Sequence, residues 1–182
     1  MSTIPQIELA DATGEAAKLL GQLKQKLGSI PNMAKAMANS PATLQGYMAL
    51  SDALANGALP VADRERLALA AAEYNRCTYC LSAHTYLGKN VAKLAADEIE
   101  RARHAESSDP HSAALLTLSD AIARSRGAVD DVALKTARAA GVTDAEIAEV
   151  VANLALNILT NYFNIVADTD ADLPVVTPHN HG

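Results

Sequence analysis

The sequence lacks the clustered positive charge of a nucleic-acid-binding protein. Its 182 residues carry 15 Lys and Arg against 21 Asp and Glu, a formal net charge of −6. The acidic and basic residues are interspersed, so no basic stripe is available to follow a phosphate backbone. Nucleic acid is therefore not expected as a partner, and no glycine-rich phosphate loop or dinucleotide fingerprint indicates a nucleotide or flavin cofactor.

The sequence also lacks the features of an exported or membrane-inserted chain. The opening residues MSTIPQIE have neither the basic segment nor the apolar core of a secretory signal. Polar residues interrupt each apolar segment before membrane length. We therefore predict a soluble, cytoplasmic protein with no membrane partner. In that reducing compartment a close cysteine pair is more often catalytic or metal-binding than a structural crosslink.

No stretch alternates apolar and polar residues as a half-buried strand does. Aromatic residues are few, with one Phe and no Trp, and helical periodicity extends over nearly the whole chain. The sequence predicts one all-α domain over 1–182, ending in an acidic tail over 168–182 that we expect to be flexible. The expected helices cover about 11–27, 33–39, 41–56, 62–74, 77–87, 90–104, 110–126, 130–140 and 144–166.

Both cysteines lie in the segment 73–84, EYNRCTYCLSAH. Cys77 and Cys80 are three residues apart and His84 follows four residues later, so in a helix their side chains share one face. A break at Arg76 places Cys77 near a helix N-terminus, where unpaired N–H groups and positive charge favour a thiolate. His84 is placed to accept or return a proton. Once one sulfur is oxidised, its partner can attack it to form a disulfide.

Two carboxylates are candidates to complete this site, Glu65 and Glu73. In one straight helix Glu65 would lie about 22 Å from Cys80, too far for the two to cooperate. If the chain instead turns back near Asn75 as an antiparallel helical hairpin, Glu65 and His84 come level. We therefore prefer Glu65 for proton relay, with Glu73 as a supporting residue that orients the hairpin, caps a backbone N–H or serves as a second base.

The pattern Glu65-x11-Cys77-x2-Cys80-x3-His84 resembles the active-site signature of the alkylhydroperoxidase D-like proteins, within the wider carboxymuconolactone decarboxylase family. One departure is Tyr79, because the characterised pattern has a second His between the cysteines. The resemblance extends over nearly the whole chain and is closest to the peroxidase-related branch. The further segments that carry it are Ile30-Pro31-Asn32-Met33, Ser40-Pro41, Arg64-Glu65-Arg66, Asn161-Tyr162-Phe163-Asn164 and Asp172-Leu173-Pro174.

The resemblance implies a helical bundle with the Cys-x-x-Cys at a helix N-terminus, assembled as a homotrimer or homohexamer. It also implies a thiol-dependent peroxidase that reduces alkyl hydroperoxides through a dithiol/disulfide cycle. Cys80 matches the peroxidatic cysteine and Cys77 the resolving cysteine, while Glu65 and His84 match the proton relay, with Tyr79 and Glu73 beside them. An external dithiol of lipoyl or thioredoxin type would then reduce the Cys77–Cys80 disulfide.

Three other functions remain alternatives. The lyase reaction that names the wider family does not need a cysteine pair, so both cysteines argue against it. A non-peroxidatic disulfide reductase or redox sensor would keep the disulfide chemistry without peroxide turnover. A zinc site of Cys77, Cys80, His84 and a glutamate is disfavoured, because one helical turn presents these side chains along a stripe and not around a tetrahedron. We therefore expect no bound metal.

Polar residues outside the motif have less specific interpretations. Asn153, Asn157 and Asn161 recur every four residues in the last helix, where they either form interhelical hydrogen bonds or line a substrate cavity or subunit interface. Four histidines lie at a turn or in the predicted tail and are assigned no role. They are His104, His111, His179 and His181.

Overall fold

In the computed structural model of the chain, residues 2–179 are described and fold into nine α-helices without a strand. The all-α prediction is confirmed. The helices are α1 (Gly14–Leu27), α2 (Asn32–Met37), α3 (Pro41–Ala55), α4 (Val61–Tyr74), α5 (Thr78–Asn90), α6 (Ala96–Arg103), α7 (Pro110–Ser125), α8 (Asp131–Ala139) and α9 (Asp144–Ala167).

Capping residues set several of these helix ends. Ser40 accepts a hydrogen bond from the backbone N–H of Thr43 at the start of α3. At the start of α9, Thr143 and Glu146 form a reciprocal capping box. The end of α5 differs from expectation, since the helix continues three residues past the predicted stop at 87. Gly88 does not end it but is buried there, where an added Cβ would lie 3.5 Å from Leu94.

Helix α4 lies at the centre of the molecule and packs against α5, α6, α7 and α9. Its two sides contribute to two separate hydrophobic clusters. Leu69 and Ala72 face the first, which includes both cysteines. Leu67 and Ala71 face the second, formed mainly with α7 and α9. The cysteine-bearing helix therefore packs on an element that is itself fixed from both sides.

The chain after α9 returns to the helices that surround the cysteines. The Asp172 carboxylate accepts a hydrogen bond from the Asn32 backbone at 2.6 Å, and the Val176 N–H donates to Ser82 Oγ at 2.9 Å. The described part of the predicted tail, 168–179, thus runs over α2 and α5. Its flexibility stays a prediction, and residues 180–182, including His181, lie outside the described residues.

Among the described residues, α9 alone is long and apolar enough to cross a bilayer by length and composition. The sequence analysis expected polar residues to interrupt every such segment. After Glu149 the polar residues of α9 are uncharged, and four of them, Asn153, Asn157, Asn161 and Asn164, are buried against the rest of the bundle. Contacts of α9 with α3, α4, α5 and α7 indicate the core helix of a bundle.

A buried carboxylate joins α4 to the loop after α6. Glu98 accepts hydrogen bonds from Ser107 Oγ at 2.7 Å and Ser108 N at 2.8 Å, and Arg66 Nε lies 3.3 Å from it. Burial raises the pKa of Glu98, but the hydrogen bonds of both serines and the Arg66 charge outweigh burial and lower the pKa to about 2. The ionised form is therefore the one that the folded protein stabilises.

Because this pKa is lower in the folded than in the unfolded chain, we expect the Glu98 contribution to stability to be complete above the unfolded value of about 4.3 and lost as pH falls towards 2. Urea unfolding between pH 6 and pH 3 tests this. Glu98→Gln should be less stable at pH 6 and less sensitive to acid than the wild-type protein. Glu106→Gln, an exposed change nearby, is the control; equal pH dependence in all three proteins would contradict the prediction.

Candidate active site

Helices α4 and α5 form an antiparallel hairpin whose turn brings the candidate relay residues together. Arg76 adopts the left-handed conformation with φ 58°, and the Cys77 N–H donates to Ala72 O at 2.9 Å. This tight turn reverses the chain. Across the hairpin, His84 Nδ1 lies 2.9 Å from Glu65 Oε2, and both side chains are partly buried.

Cys77 is the N-cap of α5, and its sulfur accepts a hydrogen bond from the Cys80 N–H at 3.3 Å. Cys80 lies in the first turn of the helix, where unpaired N–H groups favour negative charge. Both cysteines are free thiols and are buried, with exposed fractions of 1% for Cys77 and 3% for Cys80. The pair is thus a reduced dithiol in direct contact and shielded from solvent.

The surroundings distinguish the two sulfurs. A hydrogen bond with the Cys77 thiol lowers the pKa of Cys80 to about 6; burial opposes this shift, whereas the charge of His84 adds to it. The same hydrogen bond, together with burial, raises the pKa of Cys77. Burial lowers the pKa of His84, but the neighbouring Glu65 outweighs burial and raises it. At neutral pH, Cys80 therefore carries the thiolate and Cys77 keeps its proton, while Glu65 shifts the His84 equilibrium towards the charged ring.

Two asparagines of α9 complete the surroundings of Cys80, and the sequence analysis gave neither of them this role. Asn164 Nδ2 donates to Cys80 Sγ at 3.3 Å and to Thr160 O at 2.8 Å. Asn161, whose Oδ1 accepts from Asn75 at 2.9 Å, also lowers the pKa of Cys80. The sequence did contain a signal for this role, because Asn164 lies one helical turn after Asn161 and so continues the predicted stripe of asparagines.

The rest of the stripe behaves differently. Asn153 donates to Glu149 O and Asn157 donates to Asn153 O, each at 2.8 Å within α9. The amides of Asn153 and Asn157 therefore donate to backbone carbonyls of their own helix, whereas Asn161 and Asn164 contact the α4–α5 hairpin.

Tyr47 of α3 is a further residue that sequence reasoning missed. Burial raises its pKa to about 12, and the nearby negative charges of Cys80 and Glu65 raise it further in the same direction. Its phenol therefore remains protonated beside the thiol site. Nothing in the local sequence indicates this, since α3 reaches the site only through tertiary packing.

The two supporting residues contact the chain after α9. Glu73 is 3% exposed, pairs with Arg103 Nε at 2.8 Å and accepts from the His179 N–H at 2.6 Å. The Tyr79 hydroxyl donates to Asp172 at 3.3 Å and lies within hydrogen-bond distance of the α2 backbone. Burial raises the pKa of Tyr79. Glu73 therefore holds the segment after α9, and Tyr79 holds both this segment and α2 against α5.

We expect the Cys80 thiol to titrate near pH 6, which the ultraviolet absorbance of the thiolate measures without requiring a reagent to reach the buried sulfur. Asn164→Leu removes one hydrogen bond to the charged sulfur and should raise this midpoint by about one unit. Asn153→Leu is the matched control, an equally buried amide of the same helix that bonds only its own backbone. A wild-type midpoint at the ordinary thiol value of about 8.5 would contradict the prediction.

Comparison with known proteins relates the segment that holds this arrangement to a known family. The sequence model of the carboxymuconolactone decarboxylase family matches residues 41–118, which include Glu65, Cys77, Cys80 and His84. No curated protein sequence gives a significant match.

Several solved structures share the fold over almost the whole chain. An uncharacterized peroxidase-related protein of Ralstonia eutropha JMP134, with an alkylhydroperoxidase AhpD core, has a TM-score of 0.82 at 24% identity, covering 94% of this chain and 92% of that one. A peroxidase-related protein of Silicibacter sp. TM1040 has a TM-score of 0.79 at 21% identity, covering 92% and 91%. The debrominase Bmp8 has a TM-score of 0.77 at 17% identity, covering 93% and 92%.

At these identities the structural likeness establishes the fold, and the sequence match establishes the relationship of the segment that holds the cysteine pair. The neighbours include proteins named for peroxidase-related function. Residues 41–118 are thus similar in sequence to the carboxymuconolactone decarboxylase family, and the chain as a whole has the alkylhydroperoxidase D-like fold.

Proposed function

We propose that the protein is a thiol-dependent peroxidase that reduces alkyl hydroperoxides through a Cys77–Cys80 dithiol/disulfide cycle. The observation that carries the proposal is the Cys80 sulfur, which has a lowered pKa and lies in contact with a second thiol that keeps its proton. This is the pairing that a two-cysteine peroxidase needs, with one nucleophilic thiolate and one thiol to resolve the product.

In the first step, the Cys80 thiolate attacks the terminal oxygen of the hydroperoxide. An S–O bond forms and the O–O bond breaks, so that Cys80 becomes a sulfenic acid and the alkoxide leaves. His84, held by Glu65 at 2.9 Å, gives its proton to the alkoxide, which departs as the alcohol. Glu65 keeps the ring oriented and favours its protonated form before transfer.

In the second step, the Cys77 sulfur attacks the Cys80 sulfur as its proton passes to the leaving hydroxyl. An S–S bond forms, the S–O bond breaks and water is released. The Cys80 N–H bonded to Cys77 Sγ keeps the two groups adjacent. An external dithiol, of lipoyl or thioredoxin type, then supplies two electrons and two protons to restore both thiols. The cycle involves no bound cofactor.

A thiol titration tests the proposal. Prereduced wild-type protein should lose two thiols on addition of one equivalent of an organic hydroperoxide. Cys77→Ser should stop at a sulfenic acid on Cys80, whereas Cys80→Ser should not react. If the wild-type protein keeps both thiols through prolonged exposure, the peroxidase proposal fails and the lyase reaction becomes the alternative. If the thiols oxidise once but no dithiol sustains turnover, the pair is a redox sensor or a disulfide reductase.

A second candidate, reductive debromination, has one observation in its favour. The debrominase Bmp8, a structure of which holds 2,3,4-tribromopyrrole, shares this fold at a TM-score of 0.77. The same thiol titration with this bromopyrrole in place of the hydroperoxide separates the two candidates. Bromide release coupled to thiol loss, without reaction towards hydroperoxide, would favour debromination.

We also propose that the protein assembles as a homotrimer or homohexamer in the cytoplasm, with α9 in the interface. The part of α9 after Glu149 has no charged residue, and its buried side carries asparagines while its outer side is apolar. The outer residues span about 120° of the helix surface. With exposed fractions of 39–70%, they are Val151, Leu159, Tyr162, Ile165 and Val166.

This polarity is the reverse of that of a helix at a free protein surface. A contiguous apolar strip of this kind marks an interaction site, and its lack of charge suits a second copy of the same helix better than a charged partner.

A further inference from the structure

A second cluster of ligating side chains lies where the chain end meets α6. Glu100 and His104 are one turn apart on this helix and at its end, and His179 approaches them from the chain after α9. Glu100 Oε1 lies 3.4 Å from His104 Nε2 and 3.0 Å from His179 Nε2. Among residues 2–179, this group alone brings three such ligands within 4.8 Å of one another, and it does not include the cysteines.

The separations suit a tetrahedral cation site. Metal–ligand bonds of about 2.0–2.1 Å give a ligand–ligand edge of about 3.3 Å, close to the two distances from Glu100. The third edge joins the two imidazole nitrogens, and it shortens to this length when the rings tilt towards each other. They are now stacked, with centroids 4.9 Å apart. His104 is 47% exposed, so its ring has room to make this rotation.

A carboxylate lies beside the second ring nitrogen of His179, Nδ1, as is usual for histidines that bind a metal. Glu73 Oε1 lies 3.4 Å from His179 Nδ1 and accepts from the His179 backbone N–H at 2.6 Å. Arg103 fixes this carboxylate in turn at 2.8 Å. A negative charge beside Nδ1 favours the tautomer with the ring proton on Nδ1, which leaves the Nε2 lone pair for the cation.

The local charge also favours a cation. Glu73 and Glu100 contribute two negative charges, and Arg103, which contacts both carboxylates, contributes one positive charge. The remaining negative charge and the donors, two imidazole nitrogens and one carboxylate oxygen, suit a late first-row divalent metal better than Mg²⁺ or Ca²⁺. The geometry points to a zinc-type cation site formed by Glu100, His104 and His179.

Such a cation would hold the chain end against α6. The same segment places Asp172 on Tyr79 and Val176 on Ser82, two residues of α5 on either side of Cys80. Binding of the cation to the folded chain would therefore stabilise the segment that covers the cysteine helix, by an amount that grows with the logarithm of the free cation concentration above the Kd.

Isothermal titration with Zn²⁺ tests the site in the full chain carrying Cys77→Ser and Cys80→Ser, since this background removes thiols that also bind zinc. One saturable site is expected. His104→Ala and Glu100→Gln should each weaken binding by about tenfold or more. His111→Ala is the matched control, because His111 also contacts a carboxylate, Glu146, at 2.9 Å but lies outside the cluster.

Hydrogen exchange of the backbone gives the second readout. Zn²⁺ should protect residues 172–179 in the parent and in His111→Ala, and should not do so in His104→Ala. The proposal is overturned if the parent shows no saturable binding. It is equally overturned if His104→Ala binds Zn²⁺ as tightly as the parent, because the cation is then held by histidines of the chain end alone.

Discussion

Glu65→Gln is expected to slow hydroperoxide reduction by about 10²–10³-fold, the lower part of the range for general acid–base catalysis. The Glu65 charge opposes the effect of burial and raises the pKa of His84. In the variant only the charge of Cys80 still opposes burial, so the pKa of His84 falls and less of the ring is protonated at neutral pH. The alkoxide leaving group then lacks its proton donor. Stopped-flow reduction of an organic hydroperoxide by prereduced protein measures this rate.

The pH dependence separates a relay role from a structural one. The limb of the rate profile that reports His84 should move to lower pH in Glu65→Gln, whereas a loosened fold would lower the rate at all pH values. Glu146→Gln is the matched control, because it removes a His–carboxylate contact of the same 2.9 Å length at His111. A rate within threefold of wild type for Glu65→Gln would remove Glu65 from the relay, yet the thiol titration could still support a peroxidase.

Leu159→Lys is expected to convert the proposed oligomer into monomers at micromolar concentration. The substitution places a charge in the exposed apolar strip of α9, halfway along its length, where each interface would have to bury it without a partner. Leu159 itself is 39% exposed in the monomer, so Lys can extend into solvent there without disturbing the core. Sedimentation velocity of both proteins, with circular dichroism as a check on helix content, gives the result.

Val132→Lys on α8 is the control for added surface charge, since Val132 is exposed but lies outside the α9 strip. It should leave the sedimentation coefficient unchanged. A wild-type protein that sediments as a monomer would refute the proposed assembly. An oligomer that survives Leu159→Lys would instead place the interface on another surface.

The sequence was sufficient for the features that depend on local rules. Counting residues outward from the turn at Asn75 brought Glu65 level with His84, because both lie on helices whose rise per residue is fixed. The end of α5 was missed because Gly88 looks like a helix stop, whereas it is helical here and buried beside Leu94 and Ile99.

Long-range partners could not be found in this way. Glu73 was placed beside the turn, but the groups that engage it lie 30 and 106 residues further along the chain, at Arg103 and His179. Asn164 reaches Cys80 across 84 residues. Such contacts depend on how helices are arranged in space, and a helical periodicity carries no information about which helices become neighbours.

The return of the chain end over α5 has a consequence for synthesis on the ribosome. Asp172 and Val176 reach Tyr79 and Ser82 only after more than ninety further residues have been made, and the last of these must leave the exit tunnel before they can dock. The cysteine helix of a nascent chain therefore remains incompletely covered until residues 172–176 have left the tunnel. During that interval its two thiols are more open to oxidants and to other nascent thiols than at any later time.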